Sequence, residues 1–225
     1  VDGTVKPTAP IVSHCRFAFN ADNGIYAEHS DATPDLISAP RISGCVFEGN
    51  EDCAVELRDN VFPVFDAANE LLFARGVVNG IRREGDVVAS GTLEVPGPDF
   101  AYVLTGDLNV HAGATLTIEP GVVITGDSGY RTLDVIGGTL IAEGTPENPI
   151  VFTSDDDDSI AGDTDGNGHD RQPEPGDWGG IRFRWNGEGT SAAQGSVKHC
   201  ILRYGGDQQN GMIEIQGCSP TIENC

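Results

Sequence analysis

The chain has 225 residues, of which 38% are hydrophobic, with 30 glycines, 13 prolines and six cysteines. Its formal net charge is −22 and its only lysines are Lys6 and Lys198, which excludes nucleic acid and anionic membrane surfaces as partners, because both need clustered basic side chains. The same charge favours divalent cations, and no apolar run is long enough for membrane insertion.

In chain order, the first signal is a repeat. Ala9 to Cys15 (APIVSHC), Ala39 to Cys45 (APRISGC) and Ser219 to Cys225 (SPTIENC) align without gaps as small-Pro-x-β-branched-x-x-Cys, and Val197 to Cys200 (VKHC) is a partial copy. Cys15 and Cys45 lie 30 residues apart and Cys200 and Cys225 lie 25 apart, the interval of a solenoid coil. Apolar alternation follows each Cys, as at Phe17 and Phe19 and at Val46 and Phe47, and predicts short strands with Ile, Val, Cys and Phe inward and Arg, Glu and Lys outward. The equivalent cysteines are expected to stack as a mainly reduced ladder, with disulfides the alternative.

Phe65 to Ala74 (FDAANELLFA) reads as a short helical turn. Tyr102 to Ile124 reads as three strands with turns at Thr105–Asp107, His111–Gly113 and Glu119–Gly121. Leu133 to Thr153 continues the pattern, an acidic insertion follows at Ser154 to Gly176, and strands resume at Asp177 to Phe183.

The runs LTGDLNVHAGATLTIEPGVVI, GGTLIAEGTPENPIVFTS, GDTDGNG, PGDWGGIRF and HCILRYGGDQQNG resemble secreted right-handed parallel β-helix repeat proteins of the pectate-lyase-like superfamily. The resemblance is close over 86–225 and generic over 7–60. It implies an all-β, right-handed parallel β-helix (β-solenoid) with coils of about 20–30 residues. The expected division is coils at 1–64 continuing a preceding unit, a linker or helical turn at 65–85, and a helix start with coils at 86–225. Val1-Asp2-Gly3 reads as an outgoing strand, so the chain is expected to be one circularly shifted unit of a tandem array.

The insertion carries the sharpest chemistry. Asp163-Thr164-Asp165-Gly166-Asn167-Gly168 followed by Glu174 matches the calcium-loop pattern D-x-D-x-N-G-x5-E. Calcium takes six to eight oxygens, and this spacing wraps carboxylates and a carbonyl round one ion. The expected ligands are Asp163, Asp165, Asn167, the His169 carbonyl, Asp170 and Glu174, with Asp156 and Asp158 from the run Asp155–Asp158 adding to the set. No helices flank the loop, so it is not an EF-hand.

No pair of carboxylates stands out as an acid and base. Members of the superfamily include polysaccharide lyases that use calcium with an Arg or Lys base, for which Arg182, Arg184 and Arg203 are the candidates here. The expected basic cleft for a polyuronate is missing. The reading is therefore a non-enzymatic extracellular or cell-surface scaffold, a subunit of a calcium-stabilised filament that self-associates head to tail through its end coils. A polysaccharide lyase or hydrolase, a glycan-binding module with Trp178 or Trp185 stacking on sugar, and a calcium-dependent adhesin are the alternatives.

Overall fold

The computed structural model describes residues 9–29, 38–66, 68–74, 76–187, 191–206 and 210–225; the expected strand at Val1-Asp2-Gly3 lies outside them. The first coil holds β1 (Ile11–Ser13), β2 (Arg16–Ala18) and β3 (Ile25–His29), and the second holds β4 (Arg41–Ser43), β5 (Val46–Glu48) and β6 (Cys53–Asp59). Next come β7 (Glu70–Leu72), β8 (Val78–Val87), β9 (Gly91–Leu93) and β10 (Tyr102–His111). The chain continues through β11 (Thr115–Ile118), β12 (Val123–Gly126), β13 (Thr132–Ile136), β14 (Thr139–Glu143) and β15 (Ile150–Ser154). After the insertion stand β16 (Gly180–Arg184), β17 (Gln194–Lys198), β18 (Cys200–Leu202), β19 (Ile213–Gln216) and β20 (Thr221–Glu223).

The repeat motif has a backbone cause. The residue before each motif cysteine is left-handed: His14 (φ 53°), Gly44 (φ 59°), His199 (φ 48°) and Asn224 (φ 56°). A Cβ there costs about 1–2 kcal/mol, so the position collects Gly, Asn and His. Four residues after Cys15, Cys45 and Cys200 the backbone is left-handed again, at Phe19, Gly49 and Tyr204. Two such corners bracket each short strand and turn the chain into a coil.

Every pairing between these strands is parallel. One face runs through β3, β6, β8, β10, β12, β15 and β18, a second through β8, β10, β13, β16 and β19, and a third through β9, β11, β14, β17 and β20. Strands β8 and β10 belong to two faces because each turns a corner, with a register shift between Leu104 and Leu108. The expected turn at Thr105–Asp107 is thus a bulge inside one strand. On the third face register partners lie 25 residues apart (Leu93 and Ile118), then 24 (Ile118 and Ala142), then 25 again (Val197 and Ile222). Between Ala142 and Val197 the interval stretches to 55, where the insertion leaves the coil.

The core is a set of inward columns. Ile81, Tyr102, Ile124 and Phe152 are register neighbours, and all are fully buried. Such burial stabilises by roughly 1.5–3 kcal/mol per large side chain. Arg83 breaks the expected outward rule: it is wholly buried, lies over the Phe62 ring, and donates to the Leu57, Asp59 and Glu84 carbonyls. Burial pulls it down to about 10.

The helical turn expected at Phe65–Ala74 is not formed among the described residues of that stretch. Strand β7 occupies its centre, because Glu70 N donates to the Cys45 carbonyl and Leu71 buries beside Phe47 on β5. Tertiary pairing overrides local propensity here. Strand β8 then carries the first face across residues 78–87, inside the stretch expected as a linker.

All six cysteines are free. Cys45 and Cys200 are buried, and burial pushes the Cys200 thiol up to about 12. The column is not continuous, since Asn69 follows Cys45 and accepts a hydrogen bond from its backbone N–H.

Candidate metal centre

Strand β15 delivers the chain to the site. Alternation points Phe152 inward and Thr153 outward, and after Ser154 come four consecutive aspartates. A continued strand would have exposed half of them. Instead the insertion folds over the first face, and Asp155, Asp156 and Asp157 are 9%, 2% and 4% exposed. It reaches from β15 to residues 76–79, at the start of β8, and so passes over β12 and β10. Val103, Thr125 and Thr153 under this path point outward by alternation, yet are buried.

Three carboxylates converge. Asp158, Asp163 and Asp165 each offer an oxygen within 4.8 Å of the other two. Calcium–oxygen distances are about 2.3–2.6 Å, so ligands on opposite sides of one ion lie at most about 5 Å apart, and this triangle fits. The Asp158 Oδ1 atom is buried and has no hydrogen-bond partner. The loop shape comes from side-chain-to-backbone bonds. Gly168 N donates to both oxygens of Asp163 at 3.1 Å, Asn167 N to Asp165 Oδ1 at 3.0 Å, and Asp170 N to Asn167 Oδ1 at 2.8 Å.

Countercharge is short. Arg171 pairs with Asp156 at 3.0 Å, Arg203 with Asp157 at 3.2 Å, and the His169 ring nitrogen with Asp158. Among the described residues no basic side chain forms an ion pair with Asp155, Asp163 or Asp165. Burial, then the neighbouring charges of Asp156, Asp165 and Asp127, pushes Asp155 up to about 7. Burial and a hydrogen bond with Asp165 raise Asp156 to about 6, and burial is also the first cause that raises Asp163. These groups are held where their charged forms are costly unless a cation arrives.

The remaining expected ligands are placed differently. Asn167 donates to Asp156 and Asp165, beside the triangle, while its own Oδ1 is taken by the Asp170 amide. His169 is left-handed (φ 68°) and its ring engages Asp158. Asp170 and Glu174 do not join the converging carboxylates. Glu174 instead closes a turn with Asp177, its N–H donating to Asp177 Oδ2 at 2.7 Å. No helix follows the loop to swing position twelve back over the ion, and the chain runs on to Trp178. Asp155 and Asn79, which seats the loop, have no signal in the motif.

The candidate lyase arginines are all paired: Arg182 with Glu214 at 3.2 Å, Arg184 with Asp134 at 2.5 Å, and Arg203 with Asp157. Trp178 is buried, stacks on Phe152 and donates to the Arg203 carbonyl at 3.0 Å, whereas Trp185 is 49% exposed.

A model of the pectate-lyase-like beta helix domain matches residues 92–214, more than half of the chain. The chain belongs to the pectate-lyase-like β-helix family. The match spans β10 through β18 and includes the insertion, so the acidic loop is carried on the family's own coils. Neither a curated protein nor a solved structure matches the chain. The family includes enzymes, and its fold by itself assigns no activity to this β-helix.

Proposed function

We propose that this β-helix is an extracellular scaffold whose insertion binds one calcium ion. The observation that carries the reading is the half-buried Asp158–Asp163–Asp165 triangle, two of whose members have no paired base among the described residues. The −22 net charge and the pairing of Arg182, Arg184 and Arg203 speak for a scaffold. A guanidinium held by a carboxylate is a poor proton acceptor, and an acidic surface repels polyuronates.

Calorimetric titration of the metal-stripped chain with calcium tests it. One saturable site that Asp163→Asn removes supports the reading. No heat of binding, together with release of unsaturated products from a polyuronate, would favour the lyase alternative. Self-association belongs to the same proposal. The coils around Cys15 and Cys225 share one motif and one left-handed residue ahead of the cysteine, so a coil of one copy can continue the stacking of another. Electron microscopy of the native material checks for rods.

A further inference from the structure

The loop that carries the triangle also makes the insertion's attachment to the distant coil. Gly166 O accepts from Gly76 N at 2.7 Å, Thr164 O accepts from Asn79 N at 2.9 Å, and Asp163 O accepts from Asn79 Nδ2 at 2.8 Å. Asp163, Thr164 and Gly166 thus turn backbone carbonyls toward the body, while the Asp163 and Asp165 carboxylates converge with Asp158. Gly166 is left-handed (φ 71°), and a Cβ on it would meet the Val77 carbonyl at 2.3 Å. The Phe73 ring closes against Gly162 on the same seat.

Asn79 is the hub of this seat. It is 2% exposed, and its side chain also donates to the Ala74 carbonyl and accepts from Ala74 N, both at 2.8 Å. If the insertion lifted, the amides of Gly76 and Asn79 and one Asn79 Nδ2–H would lose their partners, two of them on a buried residue. An unmet buried donor is costly, so the seat and the loop shape are mutually dependent.

We infer that ion binding and strap docking are one linked equilibrium: a divalent cation in the loop tightens the strap onto residues 73–79, and Asn79 positions the cation ligands from 84 residues upstream. By linkage, whatever loosens the seat weakens the ion by the same factor. Asn79 and Phe73 are positioning residues and touch no ion. The inference rests on the calcium reading above.

The test uses the full chain and calcium alone as the probe. Hydrogen exchange of the Gly76 and Asn79 amides is followed in calcium and in chelator, and calcium affinity is measured for the wild type, Asn79→Ala and Phe73→Ala. Calcium is expected to slow exchange at both amides. Both variants are expected to bind it about 10- to 100-fold more weakly, the size of loss typical when the partners that orient metal ligands are removed. Phe73 is partly exposed, so its variant keeps the test open if Asn79→Ala does not fold. Calcium binding by the wild type with unchanged exchange at Gly76 and Asn79, and with unchanged affinity in Phe73→Ala, overturns the linkage and leaves the ion site standing. No calcium binding by the wild type overturns both.

Discussion

Strand β15 ends at Ser154, and the chemistry of burial changes there. Before it, Ile150 and Phe152 are fully buried among apolar neighbours. After it, Asp156 and Asp157 are almost as buried, among carboxylates. The coils are held by apolar area and a parallel hydrogen-bond ladder, which ionic conditions scarcely touch. The insertion is held by backbone bonds to residues 76–79 and by whatever neutralises its charge. One chain therefore contains a part whose stability is set by packing and a part whose stability is set by the solution.

The largest effect expected comes from the packed part. Phe152→Ala removes a ring that stacks on Trp178 and should cost about 3–5 kcal/mol in denaturant unfolding. The cost should be equal in calcium and in chelator; a strong calcium dependence would mean that the two parts are not separable. Next comes ion removal. At a calcium concentration about 100 times its dissociation constant, chelation should lower wild-type stability by about 2.7 kcal/mol, read as a fall in Tm. Asp163→Asn should abolish that calcium effect, while the chelated variant is at least as stable as the chelated wild type, because one repelling carboxylate is gone.

The pH dependence has a definite sign. Asp155 and Asp156 have folded-state values of about 7 and about 6, against an ordinary carboxylate value of about 3.9 when unfolded. The folded chain binds more protons in that window, so these groups cost stability as pH rises from about 4 to about 7. In chelator, Tm should be higher at pH 5 than at pH 8, and calcium should reduce or reverse the difference by favouring the ionised forms. The smallest effect belongs to exposed ion pairs on the coils. Arg41 meets Asp66 at 2.5 Å with both side chains nearly half exposed, and Arg41→Ala should shift stability by less than about 1 kcal/mol.

Much of the coil architecture was legible because its causes are local. A left-handed corner selects His, Gly or Asn ahead of each motif cysteine, and alternation selects Ile, Val and Phe for the interior, so the coil period can be read from the order of residues, while the parallel stacking was what the family resemblance implied. Asp163 and Asp165 were legible for the same reason, since the loop spacing lies within one stretch of chain. Arg83, strand β7 and Glu174 were not. Arg83 enters the core because the β6–β8 corner leaves carbonyls for it to meet, and Glu70–Leu72 extends because β5 offers an edge.

The sequence by itself determined the short strands, their coil period and the acidic loop, because each follows from residue preferences over a few neighbouring positions, and its resemblance to a known family implied the β-helix. Only the tertiary structure decided that Asp155 is buried, that Glu174 turns away from the converging carboxylates, and that Asn79 holds the loop in place. Those depend on where an insertion lands on coils laid down some 80 residues earlier, and backbone hydrogen bonds of that kind leave no mark in the spacing of side chains.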